Sequence, residues 1–204
     1  MHIVITGTSS GIGKFLAENL GKKHKIYGVA RRKNTINTID FFEGNICDND
    51  FLEKLTEKVG ILDYIIFNAG VGYFGDFEAI SEENHREILE TNLLSPLLLA
   101  HKLLKNKKIK TGIIFIGSIA SKKSLKNGAS YMASKFGLRG LAMGLKNDYK
   151  KLQIQIINPS IVKTDFHKKN RLDMSNYREN SLEEILKIVE DIISGKEKRF
   201  EVDV

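Results

Sequence analysis

The chain is poor in residues that staple, kink or anchor: its 204 residues hold one cysteine, two prolines and no tryptophan. With Cys47 alone, no intrachain disulfide can form and no thiolate set exists for a metal cluster, a composition suited to a reducing cytoplasm. No apolar run is long enough to span a bilayer. The greasiest, LLSPLLLA from Leu93, is short and flanked by charge, so no membrane partner is expected. An apolar stretch begins at residue 3 with no basic leader or small-residue cleavage site before it, so no secretory signal is expected. Repeats, low-complexity tracts and linkers are also lacking, and a single domain over residues 1–204 is the expectation. What remains is the composition of a soluble globular protein, 42% hydrophobic and 28% charged. The net charge of +7 comes from lysines spread along the chain rather than from a basic arm interleaved with aromatics. That distribution argues for a solvated basic surface and against a nucleic-acid partner.

HIVIT, residues His2–Thr6, is a β-branched apolar run that reads as a buried strand. It leads into Gly7-Thr8-Ser9-Ser10-Gly11-Ile12-Gly13 and then KFLAENLGKK, which is apolar at helical spacing. Strand, glycine-rich turn and helix in that order suit a dinucleotide. Gly7 permits the tight turn, Gly11 lets a ligand approach the backbone, and Gly13 lets helix and strand pack closely. Gly7, Ser9, Ser10, Gly11, Ile12 and Gly13 therefore form the candidate cofactor cradle, whose free N–H groups face an anion such as a pyrophosphate. A second strand, KIYGVA from Lys25, ends at Arg31-Arg32 with no acidic residue near it. An acid there would take a ribose 2′-hydroxyl, whereas arginine suits a 2′-phosphate, so NADP(H) is expected over NAD(H).

Later strands are expected over Phe41–Asn45, Leu62–Phe67, Thr111–Ser118, Gln153–Asn158 and Phe200–Val204. Helices are expected after Asp48 or Asn49, from Ser81-Glu82-Glu83 in one long run, from Asn127, and after a capping box at Ser181 and Glu184. Lys33 to Asp40 reads as a turn or one short helical piece. The βαβ order predicts an α/β fold: a Rossmann-type doubly wound parallel sheet with helices on both faces. Ligands bind such sheets outside the carboxyl ends of the strands. Most of the singled-out residues follow a strand, including Asn68-Ala69-Gly70, whose small side chains leave room for a flat ligand.

The stretch Gly117 to Lys135 carries the chemistry. Tyr131 lies thirteen positions after Ser118, and Lys135 four after Tyr131. On a helix that spacing of four stacks phenol and ammonium on one face. The cation is then expected to lower a phenol pKa that starts near ~10, giving a proton donor or acceptor usable near neutral pH. Asn92 stands mid-helix, four residues before Pro96. Proline has no N–H, so the Asn92 carbonyl loses its normal donor, and a kink with a bound water is expected. LLLAHKLLK is apolar over a wider arc than one sheet face needs, which predicts a homodimer or homotetramer. The polar, basic stretch Asp165 to Asn180 suits a mobile lid, and its Lys168, Lys169 and Arg171 hint at an anionic substrate.

These residues together resemble the short-chain dehydrogenase/reductase family over nearly the whole chain. The T-G-x-x-x-G-I-G signature is Thr6 to Gly13, the N-A-G element Asn68 to Gly70, and the helical asparagine Asn92. The serine and Y-x-x-x-K are Ser118, Tyr131 and Lys135, and the P-G-x-V-x-T element is Pro159 to Thr164 with Ser160 for glycine. Two other positions depart: Phe67 replaces a frequent second asparagine, and Asn45 replaces the aspartate that borders the adenine pocket. The resemblance implies an NADP(H)-dependent oxidoreductase acting on a carbonyl or alcohol. It makes Tyr131 the acid in reduction and the base in oxidation, and Ser118 the holder of the substrate oxygen. Lys135 would lower the tyrosine pKa and bind the nicotinamide ribose, and the Asn92 backbone would hold a proton-relay water. Asn45 and Ile46 would meet the adenine, Asn68, Ala69 and Gly70 the cofactor, and Val162 and Thr164 the carboxamide. The competing reading is a non-catalytic NADP(H) sensor acting through a partner. An intact Ser118, Tyr131 and Lys135 set argues against it.

Overall fold

The computed structural model describes residues 1–32, 36–37, 39–164, 166 and 178–204. Seven strands make one parallel sheet: β1 (His2–Thr6), β2 (Lys25–Ala30), β3 (Ile39–Glu43), β4 (Leu62–Phe67), β5 (Ile109–Ile116), β6 (Gln153–Asn158) and, after two short strands, β9 (Glu201–Asp203). Their order across the sheet is β3-β2-β1-β4-β5-β6-β9. The chain therefore winds outward from β1 to one edge, returns to β4 beside β1, and winds to the other edge. β1 and β4 flank the reversal, where loops on either side diverge and leave a crevice. Two further strands, β7 (Ile161–Val162) and β8 (Glu179–Asn180), pair with each other as a separate parallel ribbon.

Strand residues alternate between two apolar layers, as a sheet covered on both faces requires. In β1, Ile3 and Ile5 join Leu16 and Leu20 of α1 (Gly11–Leu20) and Val189 and Ile192 of α6 (Leu182–Ile193). Val4 points the other way, into the layer with Leu52 and Leu55 of α2 (Asn49–Lys58), Leu99 and Leu103 of α4 (Ser95–Lys105), and Leu138 and Ala142 of α5 (Ala129–Asp148). The expected caps are present: the Asp48 side chain accepts from the Asp50 N–H, and Ser181 and Glu184 close a reciprocal capping box.

Three boundaries differ from expectation. β3 and β5 each start and end two residues earlier than the sequence suggests. β5 begins at once after a turn in which Lys107 adopts a left-handed backbone, so no loop precedes it. Asn127 is not helical: its φ of 59° is left-handed, and α5 starts at Ala129. The run from Ser81 is not one continuous helix. α3 (Glu82–Leu89) passes through a π turn at Glu90–Leu94 before α4 begins, and Ser95 N–H bonds Glu90 across five residues. Pro96 explains it, because a residue without N–H cannot carry the ordinary ladder through this point. Part of Lys33 to Asp40 and most of the expected lid, including Lys168, Lys169 and Arg171, lie outside the described residues.

Candidate active site

A cleft of about 950 Å³ runs along the carboxyl ends of the strands. At one end the turn after β1 brings Gly7, Ser9, Ser10, Gly11 and Ile12 to its wall, and the end of β2 brings Arg31 and Arg32. Gly7 is needed twice. Its φ is +77°, and a Cβ there would meet the Ala69 backbone at 2.8 Å and the Asn68 amide at 2.9 Å. Gly13 does not line the cleft; it lies behind, where a Cβ would stand 2.3 Å from the Gly7 carbonyl oxygen, which is the close packing expected of it. Ser10 caps α1 without a side-chain bond, and the first turn carries no acid, so the N-terminal N–H groups remain for an anion.

The segment after β4 is fastened to that turn. Thr6 Oγ1 accepts from the backbone N–H groups of Asn68 and Ala69 at 3.0 and 3.1 Å, and Asn68 Nδ2 donates to the Thr6 and Gly7 carbonyls. The Asn68 side chain thus holds the cradle in shape, while Asn68, Ala69 and Gly70 line the cleft. Asn45 and Ile46 line it too, with Asn45 Oδ1 already accepting the Cys47 N–H at 3.1 Å. Val162 and Thr164 close the opposite wall.

Ser118, Tyr131 and Lys135 meet at the other end, all three buried. Ser118 Oγ accepts the Ala120 N–H at 3.1 Å where a 3₁₀ turn starts, which fixes the hydroxyl beside the Tyr131 phenol, its hydrogen-bond partner. Lys135 Nζ lies 5.7 Å from the Tyr131 ring centre and donates to the Ile116 carbonyl at 3.1 Å. Burial pushes the phenol up to about 12, with the Ser118 hydrogen bond pulling the other way. Burial also brings the lysine down to about 8. The spacing argument expected the ammonium to lower the phenol pKa; in this setting removal from water is the larger effect.

Asn92 is not on the cleft wall. It is 1% exposed in the π turn, and both polar atoms of its side chain are engaged. Oδ1 accepts the Val71 N–H at 2.8 Å, and Nδ2 donates to the Val71 carbonyl and, at 3.0 Å, to Ser134 Oγ. Ser134 in turn donates to the Tyr131 carbonyl at 2.7 Å. Asn92 therefore ties the loop after β4 to the turn of α5 that carries Tyr131 and Lys135. Gly70 is the space between them: a Cβ there would stand 3.2 Å from Asn92 Oδ1 and 3.8 Å from Lys135 Nζ.

A model of the short chain dehydrogenase family matches residues 1–175. The chain belongs to this family. It is similar to 3-oxoacyl-(acyl-carrier-protein) reductase FabG of Buchnera aphidicola, 29% identical over an alignment of 194 residues, with 86% of this chain and 80% of that one covered. Its fold is like that of a 3-ketoacyl-(acyl-carrier-protein) reductase from Brucella melitensis solved with NADH (TM-score 0.87, 19% identity, 100% of this chain and 96% of that one). It is also like that of an alcohol dehydrogenase from Thermococcus sibiricus solved with 5-hydroxy-NADP (TM-score 0.83, 22% identity, 100% and 95%). Like its relatives, this short-chain dehydrogenase is an NAD(P)-dependent oxidoreductase.

In and around the cleft of this dehydrogenase stand residues that sequence reasoning passed over. Phe74 and Phe166 face the Tyr131 phenol, with ring centres 5.2 and 5.8 Å from that of Tyr131. Gly72 and Gly128 make room for the Phe74 ring, since a Cβ at either would press on it or on Leu125. Glu87 of α3 lies 3.1 Å from Arg31. Ser134, one position before Lys135, was the nearest of these to a motif; the others sit in loops or on a helix face with no spacing signal.

Proposed function

We propose that this dehydrogenase reduces a carbonyl compound with NADPH, Tyr131 giving the proton to the carbonyl oxygen. The observation that carries the reading is the meeting of Ser118, Tyr131 and Lys135 at one end of the cleft whose other end is the glycine turn with two arginines. The residues present fit a nicotinamide dinucleotide. Uncapped N–H groups of α1 and the Gly7 turn suit a pyrophosphate, Arg31 and Arg32 a 2′-phosphate, Asn45 and Ile46 the adenine end, and Val162 and Thr164 the nicotinamide end. Bound there, the cofactor supplies the hydride.

The chain supplies position and a proton. Ser118, held by the Ala120 N–H, donates a hydrogen bond to the substrate oxygen through its hydroxyl. Burial keeps Tyr131 protonated at neutral pH, so the phenol holds the proton that reduction of a carbonyl requires. Lys135, with a pKa near 8, exchanges its proton close to neutrality and can restore that of Tyr131. Asn92 and Ser134 are positioning residues for this turn of α5. Phe74 and Phe166 keep water from the phenol and offer an apolar wall to the substrate body. Cys47, free and exposed, fits a reducing compartment such as the cytoplasm.

Tyr131→Phe keeps the ring and removes the acid. Turnover of a carbonyl substrate is expected to fall about 10²- to 10⁴-fold while NADPH still binds, read by steady-state kinetics and fluorescence titration. Undiminished turnover refutes the assignment.

A further inference from the structure

In sequence, no acidic residue stands near the end of β2. The fold supplies one from a distance of fifty-six positions. Glu87, on α3, sets one carboxylate oxygen 3.1 Å from Arg31 Nη1, and its other oxygen accepts the Tyr73 hydroxyl at 2.6 Å. Arg31, Arg32 and Tyr73 line the cleft. The pair spans the adenosine end, from the last residues of β2 to the helix that follows the β4 loop. Arg32, beside it, has no carboxylate partner among the described residues. The Glu87 side chain is half as exposed as that of Arg31, 30% against 60%, and two hydrogen bonds hold it. It is a placed charge rather than a passing surface contact.

We propose that Glu87 is a specificity-determining residue, which weakens the preference for NADP(H) by sharing the Arg31 guanidinium with the cofactor's 2′-phosphate. The inference rests on the reading that Arg31 receives that phosphate. A guanidinium has five N–H donors, so one carboxylate does not exhaust it. The cost to the phosphate is electrostatic: a carboxylate one guanidinium away repels a second anion and offsets part of the attraction that draws it in. A 2′-hydroxyl carries no charge and does not feel this. The discrimination is therefore set by the sum of Arg31, Arg32 and Glu87, and only the first two are visible at the strand end.

The test is a set of dissociation constants for NADPH and NADH, read from nicotinamide fluorescence at low ionic strength, on the native protein and four variants. Glu87→Gln is expected to tighten NADPH about two- to five-fold, the range of an exposed ion pair, and to leave NADH unchanged. Glu87→Lys should tighten NADPH further, and the gain should shrink as salt is added. Tyr73→Phe, which keeps the carboxylate but removes one of its two hydrogen bonds, should shift NADPH less than Glu87→Gln does. Looser NADPH binding in Glu87→Gln would mean that the carboxylate holds Arg31 in place for the phosphate. Looser NADH binding would mean that Glu87 itself takes the 2′-hydroxyl. Either result, or no change in the Gln and Lys variants, overturns the proposal. Arg31→Ala tests the underlying reading separately. A loss confined to NADPH upholds it whatever Glu87 does, and equal losses for both cofactors remove it.

Discussion

At the scale of single residues, burial decides the proton chemistry more than spacing does. Tyr131 and Lys135 are four apart on α5, as their motif requires, yet each is driven toward its neutral form by loss of water. For Lys135 this has a consequence for stability. Its pKa is 10.5 in the unfolded chain and about 8 in the fold, so between those values the unfolded state binds the extra proton. The cost is full below pH 8 and disappears as pH rises toward 10.5. At about 1.4 kcal/mol per tenfold, it amounts to about 3 kcal/mol. Lys135→Met is therefore expected to be more stable than the native protein at pH 7, with the gap closing by pH 10, while turnover is lost. Denaturant titrations at the two pH values check it, and a gap independent of pH would show that the lysine is not so perturbed. Tyr131 and Lys135 were legible as a pair because the helix pitch stacks residues four apart, and Ser118 joined them through the family resemblance. Glu87, Phe74 and Ser134 were not, because their roles arise from approach between distant elements.

At the scale of elements, α5 carries Tyr131 and Lys135 at its start and is anchored near its middle. Arg139 Nε and Nη2 donate to the two carboxylate oxygens of Glu201 on β9, at 2.8 and 3.0 Å. Asn158 Nδ2 at the end of β6 donates to the same carboxylate at 2.7 Å, and Lys122 stands 3.1 Å from it. The Arg139 hydrogen bonds chiefly, then those of Lys122 and Asn158, bring Glu201 down to about 2. A carboxylate lowered in this way stabilises the fold above its unfolded value of 4.5, and the contribution is lost as pH falls toward 2. Glu201→Gln, which keeps the shape but not the charge, should lower stability by about 1–3 kcal/mol at pH 7. The difference from the native protein should vanish in acid, as thermal melts across pH 2 to 7 would show. A constant difference would make the loss one of packing. The three-residue β9 was predictable as an apolar end to the chain, but the ion network that seats it beside β6 was not. The π turn was foreseeable as an irregularity from Pro96. That the break would turn the Asn92 side chain into a buried strut followed only from its neighbours.

At the scale of the whole molecule, one apolar face is left without cover. Leu94 and Leu97 at the start of α4 and Phe136 and Met143 along α5 are each at least 39% exposed. Between the last two, Gly140 has open space around it, which suits close approach of another helix. The sequence pointed to α4 alone for an oligomer interface; α5 also bears exposed apolar side chains. Self-association through this face predicts that Phe136→Glu with Met143→Glu yields a folded single chain in analytical ultracentrifugation, where the native protein runs as a dimer or tetramer. A native protein that sediments as a monomer sinks this expectation. Among the described residues no helix is long and apolar enough to cross a membrane.

The sequence alone determined the winding of the sheet, the glycine turn and the order of the reacting groups. Each of these rests on local rules: the two-residue alternation of strands, the backbone freedom of glycine, the four-residue pitch of a helix. The tertiary structure alone decided the strength and sign of the charges. It removed Tyr131 and Lys135 from water, brought Glu87 across to Arg31, and seated Glu201 against Arg139. Desolvation and Coulomb forces depend on which groups are near in space, and nearness across fifty or sixty positions is a property of the fold.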